Sequence, residues 1–153
     1  MKVSIITITY NAENTIFNSL NSVFSQSHKN IEHIIVDGGS NDNTLKACKS
    51  FPHISKIVSE PDKGVYDAFN KGLKLATGDI IGFLNADDVF FNENSVQEIA
   101  NAFSNTETDI VYGNLDYVNK EGKVVRNWIS KSYEKGLIKK AWMPAHPTFY
   151  CKK

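Results

Sequence analysis

Two aspartates, Asp87 and Asp88, stand side by side two residues after an almost wholly apolar run, residues 80–84. Such a run reads as a buried strand, so the pair is expected at the end of a sheet. Adjacent carboxylates there repel each other, and a cation relieves the repulsion. Hard divalent ions such as Mg²⁺ and Mn²⁺ take oxygen ligands, often one or two carboxylates completed by substrate phosphates. A metal so held neutralises charge developing on a departing diphosphate. The competing use of the same residues is an Asp N-cap for the next helix.

Three more polar clusters follow apolar stretches. They are Thr9-Tyr10-Asn11, Asp37-Gly38-Gly39-Ser40-Asn41-Asp42 and Glu60-Pro61-Asp62-Lys63-Gly64. In an open α/β sheet, ligands bind outside the carboxyl ends of the strands. These clusters and Asn85-Ala86-Asp87-Asp88 are therefore expected to line one crevice. Asp, Asn, Gly and Ser also serve as caps and turns at such points for local reasons, and for any single cluster both uses stay open. There is no G-x-x-x-x-G-K-[ST] and no G-x-G-x-x-G, so a phosphate here would depend on the metal.

The elements that must position these residues follow from periodicity. Strands are expected at 3–9, 31–36, 57–58, 80–84, 110–112 and 148–151. Helices are expected at about 15–25, 44–51, 64–76 and 95–103, each with an apolar stripe at helical spacing. Segments 116–118 and 124–126 flank Asn119-Lys120-Glu121-Gly122, a hairpin turn. Strands alternating with helices indicate the α/β class, with a mainly parallel sheet flanked by helices and a small antiparallel hairpin. The chain reads as a single domain, residues 1–153, without internal repeat or linker.

The 17 basic and 17 acidic residues cancel. That balance offers no basic excess for nucleic acid and no polybasic membrane patch. No apolar run approaches the ~18 residues of a membrane span, and the start is too quickly polar for a signal peptide. Cys48 and Cys151 are far apart and not in metal-ligand spacing. They read as free thiols in a reducing compartment, with a single disulfide as the alternative.

Four segments then carry a resemblance: Val3 to Asn11, Ile35 to Thr44, Glu60 to Gly72 and Ala76 to Asp88. In their order and spacing they resemble the family-2 glycosyltransferases of GT-A (Rossmann-like) fold, and the third is most similar to the branch that builds bacterial surface polysaccharides. The resemblance implies sugar transfer from a nucleotide-diphosphate donor, a UDP-sugar, to an acceptor hydroxyl, metal-assisted and inverting. Thr9, Tyr10 and Asp37 would line the nucleoside pocket. Asp87 and Asp88 would meet a divalent Mn or Mg ion and the donor's ribose and diphosphate, beside Asn85. Asp62, Lys63, Tyr66, Asp67 and Asn70 would shape the donor site. His146 would approach the sugar and acceptor side.

Three departures from the family pattern stand out. Many members carry a second Asp where this chain has Gly38, and an Asp where it has Asn85. The family's general base lies beyond the strand that follows His146, so residues 1–153 are expected to lack the acceptor and base region. The partners implied are a nucleotide-sugar and a glycan or lipid-linked acceptor, with no nucleic acid. Peripheral membrane contact is expected through regions outside this chain, in a cytoplasmic enzyme at the inner face of the membrane. Trp128, Trp142, Met143, Phe149 and Tyr150, if left uncovered, would favour self-association. The alternative functions are a non-catalytic nucleotide-sugar-binding module and an interaction domain.

Overall fold

A computed structural model describes residues 1–153. Four β-branched, apolar segments form parallel strands: β1 (Val3–Thr9), β2 (Ile31–Asp37), β3 (Ile54–Ser59) and β4 (Ile80–Phe83). Helices α1 (Ile16–Phe24), α2 (Thr44–Lys49), α3 (Val65–Leu75) and α4 (Ser95–Ala102) flank them. Two short strands complete the sheet, β5 (Ile110–Val111) and β8 (Tyr150–Lys152). Between them in sequence, β6 (Leu115–Val118) and β7 (Val124–Trp128) form a separate antiparallel hairpin. The sheet order is β3-β2-β1-β4-β8-β5, with β8 antiparallel to both neighbours.

Alternation along the strands divides the core between two layers. Val3, Ile5 and Ile80 meet Val23 of α1, Val96 of α4, Phe103 and Tyr150. Ile35 on the same face meets α1 and α2 through Ile16, Leu20 and Cys48. Ile6, Ile34, Val36 and Ile81 face the other way, onto Ala68 of α3 and Ala76. A Cβ at Gly72 would come 2.4 Å from the Ile6 side chain, so glycine lets α3 lie close on β1. Gly82 plays the same part for β8: its missing Cβ would fall 2.0 Å from the Tyr150 ring, which crosses β4 there.

The expected α/β architecture is present, with shifted ends. β3 is longer than the apolar pair at 57–58, because an edge strand mixes half-buried and exposed residues instead of running apolar. The last strand starts at Tyr150 instead of 148. Residues His146–Thr148 form a 3₁₀ turn there, where Pro147 has no N–H for a ladder. Cys48 and Cys151 are free thiols; burial foremost, then the Asp37 charge, pushes Cys48 up to about 11.

Buried Glu32, at the pole opposite the polar clusters, joins β1, β2 and the turn before β4. It accepts from Ser4 Oγ (2.6 Å), Thr77 N (2.7 Å), Thr77 Oγ1 (2.7 Å) and Lys2 Nζ (3.0 Å). Burial pushes its pKa up, but these donors outweigh burial and hold it at about 2, below the usual 4.5. A depressed carboxylate contributes stability that is full above the unfolded value and is lost as pH falls toward the folded one. Chemical denaturation across pH should show native stability falling between about 4.5 and 2. Glu32→Gln should cost about 2 kcal/mol at neutral pH and flatten that fall; an unchanged acid limb in the variant would contradict the assignment.

Candidate functional site

From β1 the chain moves outward through β2 and β3, then returns to place β4 on the other side of β1. The crevice at such a reversal, outside the carboxyl ends, is where open α/β sheets bind ligands. Thr9-Tyr10-Asn11 leaves β1 on one side of it and Asn85-Ala86-Asp87-Asp88 leaves β4 on the other. Register supports this: Phe83 pairs with Ile6, and Leu84 N bonds Ile6 O, so both chains emerge at one level.

A cleft of about 500 Å³ opens beside Thr9 and Tyr10, within the usual size for a small-molecule site. Gly38, Pro61 and Asp62 wall it, and Gly64, Val65 and Ala68 from the start of α3 close it. Thr9 Oγ1 is buried with no hydrogen-bond partner, and the Tyr10 ring is exposed at the lip. The Asp62 carboxylate is set by its Oδ1, which accepts Gly64 N–H at 2.8 Å. Its other oxygen lies over Gly38, and a Cβ at Gly38 would come 2.7 Å from it. Glycine at position 38 and carboxylate at position 62 thus share one volume.

Asp37 is fully buried and organises the loop that follows it. It accepts Gly39 N–H (3.1 Å), Ser40 N–H (2.9 Å), Ser40 Oγ–H and Ser59 Oγ–H (2.7 Å). Four donors fill its oxygens, so it bears on the cleft through the position of Gly38. Asn11, at φ 47, ties the first two clusters: its N–H donates to Ser40 Oγ and its Oδ1 accepts from Asn41 N. The local use of these polar residues and their place on a common rim are both present.

Asp67 caps the first turn of α3. It accepts Lys63 N–H at 3.1 Å, and this bond foremost, against some desolvation and with help from Lys71, holds its carboxyl below the usual range. Lys71 also pairs with Glu60 at 3.0 Å and donates to Pro61 O at 3.1 Å, strapping the 60–64 loop to α3. Lys63, Tyr66 and Asn70 are exposed around this turn and do not line the cleft; Tyr66 packs edge-on to Phe69. The lining residues that sequence reasoning missed, Val65 and Ala68, carry no polar signal of their own. Only the approach of α3 to β1 puts them there.

Across the crevice, Asp88 is half-buried and Asp87 exposed. Asn85 Nδ2 donates to Asp88 Oδ2 at 2.9 Å, and neither aspartate joins an ion pair. Burial raises the Asp88 pKa above the usual range, the Asn85 bond lowers it, Asp87 raises it again and His146 draws it back. His146, exposed on its 3₁₀ turn against β4, lies near enough for its charge to act on Asp88. No cluster of three or more His, Cys, Asp or Glu forms a ready-made metal cage. Two carboxylates without a cationic partner fit an ion that completes its shell with ligand phosphates. Asp116 lies apart, on the hairpin, accepting from Asn127 Nδ2 at 2.6 Å.

The sequence profile described as Glycosyl transferase family 2 matches residues 4–151. An uncharacterized glycosyltransferase of Nostoc sp. is 33% identical over 129 residues, 82% of this chain and 40% of that protein. The Escherichia coli UDP-Glc:alpha-D-GlcNAc-diphosphoundecaprenol beta-1,3-glucosyltransferase WfgD is 36% identical over 124 residues, 80% of this chain and 49% of that protein. Among solved structures, S. aureus TarS 1-349 in complex with UDP-GlcNAc superposes with a TM-score of 0.71 at 28% identity. The match covers 80% of this chain and 37% of that one. The chain thus spans less than half the length of these relatives.

Proposed function

The chain belongs to glycosyl transferase family 2, and from that premise we propose that it is the donor-binding part of an enzyme that transfers a sugar from a UDP-sugar to an acceptor hydroxyl, inverting the anomeric carbon. The observation that carries this reading is the cleft at Thr9, Tyr10, Gly38 and Asp62 facing Asp87 and Asp88 across the reversal between β1 and β4. The base would lie in the cleft against the Tyr10 ring. The ribose and diphosphate would run toward Asp87 and Asp88, which would hold a Mn or Mg ion with the phosphates. When bound, the ion supplies charge neutralisation for the departing diphosphate. His146 would orient the sugar or acceptor side, and Asn85 would hold Asp88 in place. Lys63, Tyr66 and Asn70, around the Asp67-capped turn, would close on the donor.

The relatives support a glycan or lipid-linked acceptor of surface polysaccharide synthesis, since WfgD is named for a diphosphoundecaprenol substrate. No helix is long and apolar enough to cross a membrane; the reading places the enzyme on the cytoplasmic side, where nucleotide-sugars are. Residues 1–153 act in it as one donor domain. Asp116, engaged by Asn127 on the hairpin, is not assigned as the general base.

The free oxygen of Asp62 is an acceptor, which suits the imide N–H of uracil and opposes the bare ring nitrogen of cytosine. Thermal shift with UDP, dTDP, CDP and GDP, each with Mn²⁺ or chelator, tests the reading. UDP with Mn²⁺ at a hundredfold excess over Kd should add about 2.7 kcal/mol of apparent stability. CDP should bind about tenfold more weakly or worse, and Asp62→Asn should narrow that gap. A chain unmoved by every nucleotide would sink the donor assignment and favour the interaction domain.

A further inference from the structure

The zero net charge conceals a segregation. Residues 115–143, the β6–β7 hairpin and the segment after it, hold seven basic and three acidic side chains, while the rest of the chain holds ten basic and fourteen acidic. None of those seven basic residues joins an ion pair. The charge balance of the whole chain does not reveal this distribution.

The same stretch carries eight of the eighteen exposed large hydrophobic side chains. They include Val125 at 64%, Ile129 at 69%, Ile138 at 67% and Met143 at 71% exposure. These are not loose ends of an unfolded loop, because other side chains pin the segment from within. Ser130 N bonds Asn114 Oδ1 at 2.9 Å, and Tyr133 N donates to Tyr112 Oη at 2.8 Å. The Trp142 ring packs at 5.4 Å from Tyr112 and 5.3 Å from Tyr133. The 3₁₀ turn Leu137–Lys140 then presents Ile138 together with Lys139 and Lys140.

We propose that residues 115–143 form a docking face for an anionic lipid bilayer. Exposed apolar side chains interleaved with unpaired lysines match that surface: the apolar groups enter the headgroup boundary and the lysines meet lipid phosphates. A second copy of the chain fits less well, because two such faces would bring like charges together. The segment leads directly into Ala145 and His146, beside Asp88, so docking there turns the carboxylate end of the sheet toward the bilayer. The inference rests on charge and exposure alone and is independent of the donor assignment.

Co-sedimentation of the chain with vesicles of phosphatidylglycerol mixed into phosphatidylcholine, against phosphatidylcholine alone, tests the proposal. Binding to the anionic vesicles only is expected, weakening at high salt as screening shortens. Each basic side chain near the surface multiplies affinity about fivefold. The combined variant Lys135→Gln, Lys139→Gln, Lys140→Gln should therefore lose about a hundredfold, and Ile129→Ser with Ile138→Ser should also weaken binding. No binding to either vesicle, equal binding to both, or full retention by the lysine variant would overturn the proposal. So would a dimer in sedimentation velocity that Ile138→Ser abolishes while vesicles bind nothing. UDP thermal shift on the same variants should be unchanged, which separates this outcome from failure of the donor site.

Discussion

Replacing Asp87 and Asp88 together by alanine should abolish metal-dependent nucleotide binding while leaving the unliganded fold as stable as before, or slightly more so. The two carboxylates sit together, one of them half-buried, with a single amide contact from Asn85 and no cationic partner. Removing them relieves repulsion and leaves only the half-buried Asn85 amide without its acceptor. The raised Asp88 pKa gives the same sign. Its protonated form favours folding, and that contribution fades as pH rises through its folded value. At neutral pH the charged group therefore works against the fold, and alanine loses nothing. For a ligand the balance reverses, because two phosphates and an ion would lose both protein oxygens. A loss of about 4 kcal/mol, roughly a thousandfold in Kd, is expected. Calorimetric titration of UDP with Mn²⁺ reads the affinity, and denaturant unfolding reads the stability. Affinity should also fall in the native chain as acid protonates Asp88, beginning above the usual aspartate range. An equal drop in stability and affinity would mean that the pair is structural and would remove the metal assignment.

Asp37→Ala should act in the opposite pattern, harming the fold and the site together. The buried carboxylate accepts from two backbone N–H groups and two hydroxyls, all within or against the Gly38–Ser40 loop. Alanine would strand those donors, at a cost of roughly 3–4 kcal/mol. That is a large share of the total stability of a small domain. The loop that carries Gly38 past Asp62 would lose its anchor, so nucleotide affinity should fall even at temperatures where the variant is folded. Asp37→Asn, which keeps the shape but turns two amide hydrogens toward existing donors, should fall between the two. Unfolding with urea, paired with UDP titration below the transition, checks both readouts. Affinity lost with stability intact would mean that Asp37 touches the ligand directly, and its role as the loop's anchor would fail.

These two predictions differ because adjacent-looking polar clusters serve different ends, and only part of that difference was legible beforehand. The α/β alternation, the four helices and the hairpin turn could all be read, because strand and helix periods and turn chemistry are written in neighbouring residues. So could the placing of Thr9, Asp37, Asp62 and Asp87 at strand ends. Strand ends themselves slipped where the signal is weak. β3 is an edge strand with mixed burial, and Pro147 delays β8.

Elements, polar rim and family are all legible along the chain, since each is carried by local spacing and by ordered motifs. Which strands became neighbours emerges only from packing in three dimensions. It put the reversal between β1 and β4, and it inserted β8 between β4 and β5, with the Tyr150 ring over Gly82. It fitted the Asp62 oxygen to the space left by Gly38, closed Asp37 inside its own loop, and set His146 within range of the Asp88 charge. It also left the lysines of 115–143 without acidic partners, although the chain holds as many acids as bases. One cause underlies all of these. A contact between residues tens of positions apart depends on how whole elements pack, and neither residue type nor local period encodes that packing.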